Sequence, residues 1–109
     1  MKKSILSLLG ISMKAGKVKA GEFQTEEAVK SQEARLVIIA ADASENTKKK
    51  FSDKCTFYEV PFFTFGTKEE LARAIGKENR SSMAVTDEGL AGSLITKLSN
   101  LENTQEEPA

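Results

Sequence analysis

Leu36-Val37-Ile38-Ile39-Ala40 is an unbroken apolar run. Three of its members are β-branched, and no polar residue interrupts it, which is the pattern of a strand buried on both faces. A strand covered above and below needs two layers of helix. The flanking chain supplies candidates for both.

Toward the N-terminus, residues 22–32 read as a helix. Phe23, Ala28 and Val29 are its apolar contributions, and Glu22, Glu26 and Glu27 sit favourably near its positive end. Lys17-Val18-Lys19-Ala20 alternates in polarity and predicts a short strand. Residues 4–15 predict a first helix with Ile5, Leu8 and Leu9 on one face, flanked by Leu6 and Met13, and Gly16 ends it.

Toward the C-terminus, a helix over 44–55 starts from Asp42 or Ser44 and carries Phe51 and Cys55 on one face. Phe57 to Phe65 reads as a third strand, with Pro61 placing it near an edge or starting its second half. Thr67-Lys68-Glu69-Glu70 has the form of a capping box for a helix through Ile75, stopped by Gly76. Ser82-Met83-Ala84-Val85 is the fourth strand. Thr86 or Asp87 opens a last helix striped by Leu90, Leu94, Ile95, Leu98 and Leu101. This alternation predicts an α/β chain, folded as a three-layer α/β/α sandwich around a mostly parallel or mixed sheet.

The 109 residues suffice for one domain, expected over 1–101. Residues 102–109 hold Glu102, Glu106 and Glu107 and no base, and are expected to form a flexible acidic tail. Sixteen basic and sixteen acidic side chains balance, yet residues 1–21 hold five lysines and no acid. Charge separated in this way can support binding to a polyanion. With no His and one Cys, zinc, haem and Cys–His chemistry lack their usual ligands, so no metal, cofactor or catalytic residue is expected. No apolar run approaches the roughly 18 residues of a membrane span. Met1-Lys2-Lys3 before Ile5–Ile11 could open a signal peptide, but Lys14, Lys17 and Lys19 follow without a cleavage site. A cytoplasmic location is expected.

Gly10 to Lys17 (GISMKAGK) fails as a phosphate loop. Five residues separate its glycines, Val18 follows Lys17, and the stretch comes after a helix and before a strand. Cys55 has no neighbouring base to activate it. Asp42, Asp87 and Glu88 follow strands, where carboxylates usually cap helices.

Two segments stand out. Lys14, Lys17 and Lys19 crowd a loop that opens a helix at Gly21-Glu22, where free N–H groups and partial positive charge favour phosphate oxygens. The loop Gly76-Lys77-Glu78-Asn79-Arg80-Ser81-Ser82 offers an amide, a guanidinium and hydroxyls suited to phosphates, 2′-hydroxyls or base edges.

Lys17-Val18-Lys19-Ala20-Gly21, Ala28-Val29 and Ala34 to Ala43 together resemble the ribosomal L-seven-Ae family of kink-turn RNA-binding proteins. Asn46 to Lys50, Asp53-Lys54-Cys55, Thr67 to Arg80 and Ala84 to Gly89 resemble its bacterial YlxQ-like branch. The similarity spans about residues 3–101. It implies a central four-stranded mixed sheet and a non-enzymatic, monomeric, ribosome-associated protein. The partner implied is structured RNA, ribosomal or another kink-turn RNA, with ribosomal proteins as further neighbours. The start of the second helix would enter the widened groove of the kink, and the loop before the last strand would cover the extruded nucleotide.

The implied RNA-binding residues are Lys17, Lys19, Gly21, Glu22, Phe23, Gln24, Glu27 and Lys30 on one segment, with Asn79, Arg80, Ser81 and Ser82 on the other. Lys17 and Lys19 would position the backbone, Gly21 would permit close approach, and Gln24 would read a base edge. Asn79, Arg80 and Ser81 would hold the extruded nucleotide.

The strong binders carry Gly-x-Asn-Glu-x-x-Lys at this helix start. Here Phe23 replaces the Asn, Gln24 the Glu and Glu27 the Lys. Ala41 stands where strong binders often carry Glu, and the covering loop is polar instead of apolar. Gln24 can still hydrogen-bond a purine edge and Phe23 can stack on a base, whereas Glu27 opposes a phosphate. The alternative is a protein-interaction module on the same fold, with Phe23 docking a partner. The RNA reading requires the two segments to meet on one side of the molecule.

Overall fold

A computed structural model of the chain describes residues 2–106, with side chains through residue 101. Its elements are α1 (Lys2–Lys14), β1 (Val18–Ala20), α2 (Glu22–Lys30), β2 (Leu36–Ile39), α3 (Glu45–Tyr58), β3 (Phe62–Thr64), α4 (Lys68–Ala74), β4 (Ser82–Val85) and α5 (Glu88–Glu106).

The strands form one sheet in the order β1-β4-β2-β3. β2 and β3 are parallel, while β4 runs antiparallel to both β1 and β2, so the sheet is mixed. β2 lies between β4 and β3, and each of its residues, Leu36 to Ile39, has no exposed surface. That position accounts for the apolar run: neither face nor edge of this strand meets water. α2 and α3 cover one face, with α2 over β1 and β4 and α3 over β2 and β3. α1, with α4 and α5 packed against it, covers the other. Gly10 lets α1 lie against α4, because a β-carbon there would come within 2.9 Å of the Ala74 carbonyl oxygen.

Several boundaries differ from the sequence expectation. The strand expected over 57–65 is reduced to Phe62–Thr64, and Phe57 and Tyr58 belong to α3. Aromatic residues favour strands, but Phe51 and Cys55 bury the face that carries α3 onward. The Phe57 and Tyr58 rings meet edge to face, 4.9 Å apart. Glu59 then turns the chain in a left-handed conformation (φ 58°), and Val60 N–H donates to the Cys55 carbonyl at 2.9 Å. Pro61, which has no N–H, precedes the edge strand, where its missing donor breaks no ladder.

Both ambiguous caps resolve. Ser44 caps α3, its hydroxyl accepting from Thr47 N–H at 3.1 Å. Asp42 instead accepts from Lys68 N–H at 2.9 Å and so fixes the start of α4. The Thr67/Glu70 capping box is present on both sides, at 3.0 Å each. Asp87 caps α5 through Leu90 N–H at 2.9 Å. α5 itself continues past residue 101, so helical backbone covers 102–106, part of the stretch expected as a tail. No Gly or Pro falls between Gly92 and Pro108 to interrupt it. The rest of that tail, 107–109, lies outside the described residues.

Candidate functional site

The two segments meet. Ala20 of β1 pairs with Met83 of β4, and Gly21 N–H donates to the Ser82 carbonyl at 2.9 Å. On the other side of β4, Ala40 N–H donates to the Ser81 carbonyl at 2.8 Å. The start of α2 and the loop before β4 therefore lie at the same end of the sheet. Arg80 closes the junction. A β-carbon built on Gly21 would lie 3.7 Å from its Nε and 3.8 Å from its Cδ. The Arg80 guanidinium is held by the Glu78 carbonyl at 2.6 Å and has no acidic partner among the described residues.

Gly21 is required by its backbone and not by crowding. At φ 101°, ψ 155° it occupies a region essentially confined to glycine, and Arg80 would make only ordinary contact with a β-carbon. As a glycine it supplies no side-chain cap, so it leaves the first-turn N–H groups of α2 to other acceptors.

Phe23 is 74% exposed. It borders a shallow hollow of about 240 Å³ with Lys19, Gln24, Glu27 and Ser31. Lys19 thus faces α2, as alternation along β1 requires when Val18 is buried. Lys19 and Lys17 have no acidic partner among the described residues.

Of the remaining candidates, Lys17 and Lys30 lie away from the junction, and Ser82 reaches it only through its backbone. Lys17 lies at the opposite end of β1, its carbonyl accepting from Thr86 N–H at 2.9 Å, about 13 Å of strand away from Gly21. Lys30 ends α2 and pairs loosely with Glu27 at 3.8 Å. Ser82 is wholly buried, and its hydroxyl, like that of buried Thr25 on α2, has no hydrogen-bond partner among the described residues. Asn79 is exposed and left-handed (φ 53°), a conformation Asn tolerates better than most residues.

Two features went unseen in the sequence. One is an open groove of about 730 Å³ between α4 and the loop after it, lined by Asp42, Lys68, Arg73, Lys77 and Asn79 among others. The other is an ion cluster joining α2 to α3: Lys50 reaches Glu22 at 2.9 Å and Glu26 at 2.8 Å, and Lys54 reaches Glu26 at 3.3 Å. Lys50 holds the Glu26 carboxyl below its ordinary range, and Glu26 with Glu22 holds the Lys50 amine above its own. The spacing of Lys50 and Lys54 on one helical face was a signal, but their acidic partners lie more than twenty residues away.

Burial pushes the Cys55 thiol up to about 11, which keeps it protonated and unreactive near neutrality. Among the described residues no group of three or more His, Cys, Asp or Glu could hold a metal ion. None of their helices is long and apolar enough to cross a membrane.

A small α/β/α sandwich that joins an uncapped helix start, an arginine-bearing loop and an exposed aromatic on one edge is a binding domain in form. The chain belongs to the Ribosomal protein L7Ae/L30e/S12e/Gadd45 family, whose model matches residues 3–95. It is 44% identical over 91 residues to "RNA-binding protein YlxQ" of Bacillus subtilis (strain 168), covering 84% of this chain and 91% of that protein. Among solved structures it is similar to a protein with unknown function from Bacillus halodurans C, with TM-score 0.86 and 38% identity over 91% of this chain and 99% of that one. A Giardia lamblia 15.5kD RNA binding protein shares the fold, with TM-score 0.76 and 24% identity over 88% of this chain and 85% of that one.

Proposed function

We propose that this protein binds structured, kink-turn-like RNA in the cytoplasm, in association with the ribosome, through the start of α2 and the loop before β4. The observation that carries the reading is Arg80 lying against Gly21. It makes one surface of two segments, beside Lys19 and Phe23. The relative named an RNA-binding protein supports the partner class. The N–H groups at the α2 start, which have no side-chain cap, and the Arg80 guanidinium, which has no acidic partner among the described residues, suit phosphate oxygens, Phe23 suits an unstacked base, and Gln24 suits a purine edge. Such contacts read shape and non-Watson–Crick pairs, and no catalytic step is assigned.

The test is a titration of the full chain with a kink-turn RNA and with a straight duplex in which the sheared G·A pairs are replaced by Watson–Crick pairs. Tighter binding to the kinked RNA is expected, and equal affinities would remove kink recognition.

The exposure of Phe23 also favours a second reading, docking of a protein partner through this ring. Salt separates the two. Affinity for RNA falls steeply with added salt as counterions are released, whereas an apolar protein contact barely changes.

A further inference from the structure

α2 opens on acids. Glu22 is its first residue, and Glu26 follows about 6 Å along the axis. Both lie within the roughly 10 Å over which charges act at ~0.1 M salt. Two uncompensated carboxylates beside Gly21 and Gln24 would repel any polyanion approaching that helix start.

The neighbouring helix answers them. Lys50 bridges Glu22 and Glu26, and Lys54 takes the second oxygen of Glu26. α3 lies over β2 and β3, on the flank of α2 away from β1. The carboxylates are thus drawn to the side opposite Lys19, and neither lines the hollow beside Phe23 and Gln24. Lys48 and Lys49 do not share the task, for they pair within their own helix with Glu45 and Asp53.

We infer that Lys50 is a positioning residue for RNA binding: it holds Glu22 and Glu26 on the α3 flank and clears the α2 start of negative charge, without itself touching RNA. The inference rests on the RNA-binding reading above.

The test compares the full-length wild type with K50Q, K50R and the triple variant K50Q/E22Q/E26Q, titrated with kink-turn RNA at low and high salt. Thermal unfolding is followed in parallel. Ion pairs this exposed contribute little to stability, so K50Q is expected to fold. It should weaken RNA binding roughly three- to tenfold at low salt, with a smaller loss at high salt. K50R should bind like the wild type. The triple variant should bind roughly three- to tenfold more tightly than K50Q, because the acids needing a counter-charge are gone.

A purely structural role for Lys50 would not produce that recovery. A K50Q loss that the triple variant fails to restore overturns the inference and makes Lys50 a direct contact. A wild type that binds RNA while K50Q binds equally well overturns the inference alone. A wild type that binds no RNA overturns the underlying reading and this inference with it.

Discussion

Two lysine-bearing stretches look alike in sequence and behave differently in the fold. Lys48, Lys49, Lys50 and Lys54 of α3 each lie within 3.4 Å of a carboxylate. Lys17, just before a three-residue strand, and Lys19, at its middle, have no acidic partner among the described residues. The α3 run is longer, yet its charge is neutralised by its own helix and by α2. The sparser lysines at β1 have no acid among the described residues to neutralise theirs. A count of basic residues therefore misranks these surfaces, because the geometry of the nearest acid decides how much field reaches solvent.

The most drastic way to break the contrast is to disrupt the turn that joins β1 to α2. Gly21→Ala forces a side chain into a glycine-only backbone region, at a cost of about 1–3 kcal/mol. Chemical denaturation should show that loss, and RNA affinity should fall with it although no charge has changed. An alanine variant as stable as the wild type would mean that the backbone at residue 21 relaxes freely.

Next comes the contrast itself. Replacing Lys17 and Lys19 together by Gln should weaken RNA binding about tenfold near 0.1 M salt and reduce the salt slope by about 1–2. The matched change of Lys48 and Lys49 should leave affinity within about twofold. Equal losses from the two pairs would abolish the distinction drawn here. Lys17, lying farther from Gly21, should contribute less than Lys19 when each is changed alone.

A gentler probe sharpens the comparison from the acidic side. Glu27→Lys removes the partner of Lys30 and adds a cation beside the hollow that holds Lys19 and Phe23. RNA affinity should rise roughly three- to tenfold, most at low salt. No change would count against residue 27 lying near the phosphate backbone.

The smallest effect concerns acid. Because Lys50 lowers the Glu26 carboxyl in the folded chain, its contribution to stability is present above the ordinary value of 4.5 and is lost as pH falls through the lowered one. Glu26 is partly buried but its partners Lys50 and Lys54 remain open to solvent, so this amounts to about 1 kcal/mol at most. Unfolding followed from neutral pH downward should show Glu26→Gln losing stability less steeply than the wild type. Parallel curves would mean that the α2–α3 cluster adds nothing measurable.

Much of the fold was legible because its signals are local. The apolar run at residues 36–40 marked the central strand, Thr67 and Glu70 marked a helix start three residues apart, and the leucine stripe marked α5. The third strand was misjudged because Phe57 and Tyr58 have strand-like propensity, while the burial of Phe51 and Cys55 that extends α3 depends on distant packing. The site divided in the same way. Gly21 and Arg80 were singled out from local residue chemistry, and Phe23 and Gln24 from the family resemblance. Ser82 looked like an available hydroxyl, but its strand carries it into the core. The role of Asp42 at the start of α4 spans 26 positions, and no local pattern announces it.

By itself, then, the order of residues determined the alternation of helices and strands, the doubly covered centre of the sheet and the two polar segments of interest. These follow from periodicity, capping and composition, which act over a few neighbouring residues. Only the tertiary structure decided that β4 inserts between β1 and β2, which sets Arg80 against Gly21, and that α3 supplies the counter-charges for α2. Those outcomes depend on strand pairing and helix packing between distant segments, whose energies belong to pairs of surfaces and are carried by no single stretch of chain.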